Sequence, residues 1–575
     1  MFAHALAALL YLALALWALR VVLPDPRHLV PARAPIPGER LAKVDRTDQR
    51  FVVGTTIATT RRLLEDPRHF LDGGGCHPLP KPYTLGEHMV GSSLLAAVPY
   101  AAWRDPVLAY NAMLGLSWWI AAIAMYALAF FWTRDASAAF VAGLLFGFHP
   151  ARLGDPGHPY LYANLWAPLL LLFAHRLFAR QRWGDAAALA VLGCLQLLES
   201  FYRVIGVSLV TLVYGAFLLV RFRVAWRQLW PKLLVVALVV GRFAAALFGP
   251  YLETRTRWGV LQGRSPAMLL LVEYRPLGEA WLGWTLLALA LVGLADRLRH
   301  ARPRDGCDPR AVLLAAAVLV AWCSVWGFGI PFTAIGLPSP LLLLGGALPG
   351  LDAVRALRYV WFEVVLIASL LAAYGVLFLT SVRQPIVARG VTGLVVAAAA
   401  LELFAPTIAP TSFRVRPLEA FAIGANDEQR ALHARIEDGA VLDLPLRYDL
   451  RGALHDMSYY SFLRGYHGRP AAACYNSFTT PVQAEVAALA ARLPAPDAAD
   501  ELYALGFRWI VVHGELVAPG ELETLAPLFA DRSRTEPIAS ARHLATFHRP
   551  WADPAQSYEE RLYQLGSPAT PAAPR

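Results

Sequence analysis

Two acids stand three residues apart in AKVDRTDQRFVVGTTIATTRRLLEDP, at Asp45 and Asp48. On one helical turn an i, i+3 pair faces the same way. A carboxylate so placed can take a proton from a hydroxyl, a contribution of about 10²–10⁴-fold. The plainer reading is a solvated helix start, with Thr47 capping the helix that follows. A second pair, Glu87 and His88, stands where PYTLGEHMVGSSLLAAVPY turns from polar to apolar. Adjacent residues point to different sides of a helix, and an interfacial polar edge accounts for them. The chemical reading is an acid or base beside a donor to an anionic group, because histidine carries a proton near neutral pH.

Three further stretches are richer in polar groups than a connector needs. FHPARLGDPGHPYLYANLW (148–166) holds His149, Arg152, Asp155, His158, Tyr160, Tyr162 and Asn164, and its Pro and Gly residues break any helix. A polar loop with interfacial aromatics is the alternative. GPYLETRTRWGVLQGRSPAMLLLVEYRP (249–276) carries Arg255, Arg257 and Arg264. Guanidinium pairs well with phosphate oxygens, so an anionic ligand such as a lipid phosphate is one reading; pairing with Glu253 and Glu273 is the other. Glu199, Arg203, Arg242, Arg355, Arg358 and Glu402 lie in or beside apolar runs. Charges there are costly and usually face a bundle interior or a water cavity, although Arg203, Arg355 and Arg358 could also snorkel.

The elements that must position these groups are membrane spans. The chain has 575 residues, 57% hydrophobic and 16% charged, with mean hydropathy +0.44. A soluble chain carries about a quarter charged residues. The excess falls in runs long enough to cross a bilayer core. Spans are expected at about 5–24, 88–103, 107–132, 160–179, 184–199, 203–221, 232–249, 281–297, 311–329, 358–380 and 388–405. The first is read as a retained helix, since no basic region precedes it and no small-residue cleavage site follows. Arg180-Gln181-Arg182, the segments 221–232 and 296–310, and the turn at Arg383 and Arg389 are basic. The positive-inside rule places them in the cytoplasm. The N-terminus is then inside. Loops 25–87, 133–159, 250–280 and 330–357, and everything after about 405, are outside. FVAGLLFGFH (140–149) and LLLLGGAL (341–348) would break this parity, and are read as half-buried pieces lining a cavity.

Net charge is +10, attributed to these basic loops and not to nucleic-acid binding. The five cysteines are scattered with no spacing that suggests a metal knuckle or a disulfide framework. From about 410 the chain changes character. AVLDLPL (440–446) and RWIVVHG (508–514) read as strands, and 481–493 and 498–507 as helices. The fold class is therefore mainly α, a polytopic helical membrane domain over 1–409, with a small α/β domain over 410–565 on the outer face. Residues 566–575 are read as a disordered tail.

One ordered set of motifs runs through nearly the whole chain: TDQRFVVGT, then GEH and DPVLAYN, then FHPARLGDPGHPYLYANLWAPLLLLFAHRL, then LPGLDAVRALRYVWF, then VLDLPL, YHGRPAAACYNSF and LYALGFRWIVVH. In that order they resemble the bacterial multispanning proteins of the GT-C glycosyltransferase superfamily, in a branch with a C-terminal outer domain. No single motif is specific; their order carries the weight. The resemblance implies an inverting sugar transfer on the outer face of the cytoplasmic membrane. The donor would be a polyprenyl-phosphate-linked sugar, and the acceptor a cell-envelope glycan, lipid or protein. It implies Asp48 as base or acceptor-positioning acid, with Asp45 second. Glu87-His88 resembles an acid–lysine pair, so His88 would meet the donor phosphate and Glu87 would orient loop or acceptor. His158 stands where relatives carry an aspartate, with Asp155 able to substitute. Arg152, Arg255, Arg257, Arg264, Arg355 and Arg358 would serve donor-phosphate or substrate binding. No cofactor is implied, and without a second clear acid a divalent metal is not expected. A lipid or polysaccharide transporter or flippase, or an inactive envelope scaffold, are the alternatives. A transporter needs a polar path through the bundle, whereas the polar groups here cluster on one side.

Overall fold

In the computed structural model the described residues are 2–33, 41–222, 226–259, 282–300, 309–324, 340–344, 357–381, 384–404, 418–423, 425–448, 453–475, 480–518, 520–544 and 555–567. They form two compact units. One comprises Met1–Leu23, Pro31–Ala34 and Met113–Glu419; the other comprises Pro24–Val30, Pro35–Ala112 and Ala420–Arg575. The expected tail lies outside the described residues from 568 on, and the piece 341–348 from 345 on; its first half belongs to the short helix Pro340–Leu344.

The first unit is helical, and the chain is a multi-pass membrane protein. Among the described residues eight helices are long and apolar enough to cross a bilayer: Phe2–Val21, Pro106–Thr133, Ala136–Leu153, Pro159–Arg180, Phe201–Arg221, Arg227–Trp258, Tyr359–Leu379 and Pro385–Leu403. Trp183–Leu197, Trp284–Asp296 and Pro309–Ser324 are shorter apolar helices.

Three expected boundaries need correction. First, the piece 140–149 lies inside Ala136–Leu153, two successive helices that together are long and apolar enough to cross. Asp135 caps the first by accepting from Ala138 N at 2.7 Å, so the helix starts four residues before the bulky part of the run. Gly143 and Gly147 press it against a neighbour, where an added Cβ would lie 2.6 Å from Ala122 O and 2.5 Å from Ala122 Cβ. Second, the stretch 88–103 is a helix of only 14 residues, Val90–Trp103. That is about 21 Å of rise, short of a ~30 Å core. Third, the helix expected to end at 249 continues through Pro250 to Trp258, so Arg255 and Arg257 lie on a helix end and not in a loop.

Tight helix pairing recurs at Gly293 and Gly375. A Cβ on Gly293 would meet Leu371 O at 2.1 Å, and one on Gly375 would meet Leu289 O at 2.1 Å. Small residues let membrane helices approach this closely, and packing is what holds them together in lipid.

The second unit joins the segment after the first helix to the C-terminal segment. Helix Leu41–Glu65 packs against Val90–Trp103 and Ala453–His467. Its threonines face inward. Ser93 Oγ donates to Thr56 O at 3.1 Å, and Thr60 Oγ1 donates to Ser93 O at 3.0 Å. At Gly54 a Cβ would sit 2.0 Å from Ser461 O, so the crossing is backbone on backbone. A four-stranded sheet follows, in the order Ala440–Leu444, Phe507–His513, Ser557–Leu565, Thr535–Leu544. Its first pair is parallel and the others antiparallel. Val441, Val511, Leu562 and Ala541 form its core with Leu432 and Ile436. The expected strands at 440–446 and 508–514 and helices at 481–493 and 498–507 are all present within a few residues.

A disulfide not expected from the sequence links Cys76 to Cys474. A short ladder surrounds it: Cys76 N donates to Ala473 O and His77 N to Ala471 O, both at 2.9 Å.

Replacing Gly375 by valine must part the two helices, because the atom it meets is backbone. We expect a destabilisation of about 1–3 kcal/mol or more, read as a lower melting temperature in detergent, with Leu377→Val at an ordinary lipid-bundle position showing less than half of that shift.

Candidate functional site

Asp48 lies in the second unit, in the first third of helix Leu41–Glu65, and is half-buried. The Tyr475 hydroxyl donates to its Oδ1. Phe51, one turn on, stacks at a tilt on the Tyr475 ring with centroids 4.7 Å apart. Tyr475 follows Cys474, so the disulfide to Cys76 fixes the backbone that carries it. The helix already begins at Leu41, which corrects the reading of Thr47 as a cap: Thr47 is a buried mid-helix residue, 2% exposed. Asp45 belongs to the same helix; its side chain is outside the described residues.

His88 is not a surface cation. It is fully buried, and burial lowers its pKa to about 4. Its Nδ1 accepts from Val90 N at 3.2 Å. The imidazole therefore caps the start of helix Val90–Trp103. Glu87, half-buried, precedes it in the turn after Leu85.

In the first unit the 148–166 stretch builds a buried polar network. Arg152 Nη2 donates to Asn164 Oδ1 at 2.7 Å, and Asn164 Nδ2 donates to Glu363 Oε2 at 2.9 Å. Arg203 Nη1 donates to Glu363 Oε1 at 2.8 Å, and its Nη2 to Tyr359 O. The Arg152 guanidinium lies 5.0 Å over Phe146 and 5.2 Å over Phe362. Arg203 and Glu363 are both fully buried. Nearby Trp166 Nε1 donates to Glu199 Oε1 at 3.1 Å. Gly206 leaves room for Glu363: a Cβ there would lie 2.6 Å from Glu363 Cγ. Every member sits at a helix end or in the loop, so the network occupies one end of the unit. Asp155 Oδ1 and His158 Nδ1 meet at 2.9 Å, so the two residues considered for one role are partners.

The expected site residues thus divide. Arg152 is bonded to Asn164 and supports the loop. Arg255 and Arg257 stand on the last turn of helix Trp226–Trp258, and Arg257 packs 4.9 Å from the Trp258 ring. Arg264, Arg355 and the Arg358 side chain lie outside the described residues. Glu363 was not foreseen. Its signal was an acid at the fifth position of the apolar run YVWFEVVL, a position where a charge needs a partner. Glu402, grouped with the intramembrane charges, caps a helix by accepting from Trp284 N and from Thr285 N, the latter at 2.8 Å.

A second network lies in the sheet of the second unit. His513 Nε2 faces Asp443 Oδ1 at 3.0 Å and its Nδ1 faces Glu560 Oε1 at 3.1 Å. Tyr459 and Gln429 each donate to Glu560 Oε1 at 2.9 Å, and Tyr460 stacks on the imidazole at 4.5 Å. Burial pushes the His513 imidazolium down, but Glu560 and Asp443 outweigh it and raise the group to about 9. Burial pushes the Glu560 carboxyl up, yet His513 and His433 hold it well below the usual range. The members are at most 2% exposed, so the cluster is a core lock and not a substrate site. Among the described residues no group of three or more His, Cys, Asp or Glu could hold a metal ion.

No protein-family model and no curated protein matches the chain. Among solved structures it is similar to the arabinofuranosyltransferase AftD from mycobacteria, with TM-score 0.46 and 14% identity, covering 98% of this chain and 40% of AftD. The chain therefore spans less than half the length of that protein. It is also similar to ArnT from Cupriavidus metallidurans bound to undecaprenyl phosphate, with TM-score 0.45 and 14% identity, covering 98% of this chain and 99% of ArnT.

Two outcomes follow from these networks. Arg203→Met strands a buried carboxylate and costs about 3–5 kcal/mol, whereas Arg203→Met with Glu363→Leu recovers most of it; thermal unfolding of the two variants checks this. For the sheet, the His513 pKa is raised from its unfolded ~6.5, so its contribution is complete below pH ~6.5 and is lost as pH rises through about 9. Glu560 acts oppositely, its contribution present above ~4.5 and lost on acidification. Unfolding of the full chain from pH 6.5 to 9 should show falling stability, and His513→Gln should be less stable at pH 6.5 but flat across that range.

Proposed function

We propose that this chain is a membrane glycosyltransferase that moves a sugar from a polyprenyl-phosphate-linked donor to a cell-envelope acceptor, on the outer face of the cytoplasmic membrane. The observation that carries the reading is the Asp48 carboxylate, held by the Tyr475 hydroxyl. It unites two segments, TDQRFVVGT and YHGRPAAACYNSF, from the ordered motif set. A half-buried acid gripped at one oxygen is a carboxylate with a fixed plane. Carboxylates accept at about four lone-pair sites, so that grip is compatible with a second hydrogen bond from an acceptor hydroxyl.

In this reaction the acceptor oxygen bonds to the anomeric carbon as the bond from that carbon to the phosphate oxygen breaks. The hydroxyl proton passes to Asp48 and the electron pair leaves with the polyprenyl phosphate. The leaving group is already good, so placing cations against it supplies most of what is needed. Arg255, Arg257, Arg264, Arg355 and Arg358 are kept for that role, and Asp45 and Glu87 for positioning the acceptor. Arg152, Asp155 and His158 shape the substrate-side loop. The polar network at one end of the helical unit favours this reading over a transporter, which needs polar groups along the whole bundle.

Purified protein reconstituted with polyprenyl-phosphate sugars should consume donor, and Asp48→Asn should lower kcat by about 10²–10⁴-fold. Wild type that consumes no donor, or equal rates in both proteins, would overturn the assignment.

A further inference from the structure

We infer that the first unit carries a binding site for an anionic phospholipid at its arginine-rich end. A hollow of about 420 Å³ lies among helices Phe2–Ala18, Pro106–Thr133 and Ala167–Arg180, within the range of small-ligand sites. Its lining is mostly apolar, with Ala8, Ile123 and Leu172 beside the rings of Tyr11, Phe130 and Phe131. One wall is Tyr126, whose hydroxyl meets His4 Nδ1 at 2.6 Å. Three guanidiniums stand around it, from Arg134, Arg176 and Arg180.

Their partners set the charge. Arg176 Nε pairs with Asp185 at 2.8 Å. Arg134 and Arg180 are exposed and have no carboxylate partner among the described residues; Arg134 lies 5.4 Å over the Phe131 ring. The site therefore offers two uncompensated cations above an apolar hollow. That is the complement of one amphiphile, with an acyl chain in the hollow and a phosphate on the guanidiniums, which bind phosphate oxygens in a bidentate fork. A zwitterionic headgroup brings its own cation against the arginines and fits less well. Basic pockets between membrane helices on the cytoplasmic side hold anionic headgroups in this way. Arg180 opens the turn Arg180-Gln181-Arg182, which the positive-inside rule places there.

The site is separate from the polar network. Asn164 and Trp166 of that network stand at the start of helix Ala167–Arg180, whereas Arg176 and Arg180 stand at its end. The helix is 14 residues long, about 21 Å. The inference needs no catalytic reading and is tested without turnover.

The test is native mass spectrometry of the full chain, loaded with phosphatidylglycerol or phosphatidylcholine of identical acyl chains. Wild type should retain phosphatidylglycerol preferentially. Removing Arg134 and Arg180 by Arg134→Ala and Arg180→Ala should weaken that preference by about fivefold per arginine. Ala127→Phe, which fills the hollow, should lower retention of both lipids. Glycerol phosphate alone should not displace the lipid. Equal retention of both lipids, an unchanged preference in the double variant, unchanged retention in Ala127→Phe, or displacement by glycerol phosphate would each overturn the inference.

Discussion

The contact between Asp48 and Tyr475 depends on one constraint, the close approach of the segment after the first helix to the C-terminal segment. Gly54 sets it, because any Cβ there would strike Ser461. The disulfide from Cys76 to Cys474 sets it again beside Tyr475. The two ties act on the two partners of the contact. One fixes the helix that carries Asp48, and the other fixes the strand-like segment that carries its hydroxyl donor. The entropy of closing a long loop grows only slowly with its length, so a link across a sequence separation of 398 is thermodynamically reasonable. An acid held this way is preorganised by the fold and not by its own loop.

Charge is handled differently in the two units. Among the membrane helices one buried charge cluster lies at helix ends, where Arg203, Glu363, Asn164 and Arg152 satisfy one another. An unpaired charge among lipid tails would be expensive. In the sheet, His513 lies between two carboxylates and is kept protonated by them. Neither network is solvent-facing, and both give a single arrangement of side chains instead of many. The groups assigned to chemistry, Asp48 and Glu87, are the half-buried ones.

Much of this was legible in the sequence, and the failures have physical causes. Apolar periodicity marked the strands near 440 and 508 and the helices at 481–493 and 498–507, but not the helix Ala453–His467. The strands Thr535–Leu544 and Ser557–Leu565 were missed because TEPIASARHL and SYEERLYQL carry charges, among them the buried Glu560, that break the apolar pattern. The helix Ala136–Gly147 looked too short because it opens on small residues, Ala136 and Ser137, that weigh little as hydropathy. Val90–Trp103 looked like a span because Ser92 and Ser93 can hide against threonines in a protein interior. The disulfide had no local spacing to betray it. Asp48 was found from its type and place in the motif order, but Tyr475 could not be, since only the fold brings residues 427 apart into contact.

The central claim is that Asp48 acts as a base and that Tyr475 positions it. A double-mutant cycle on kcat for donor consumption, using Asp48→Asn and Tyr475→Phe, tests it most directly. The account predicts that Tyr475→Phe lowers kcat with the donor KM unchanged, and that it has almost no further effect once Asp48 is Asn. Additive losses in the double variant, or a Tyr475→Phe protein with wild-type kcat, would contradict it.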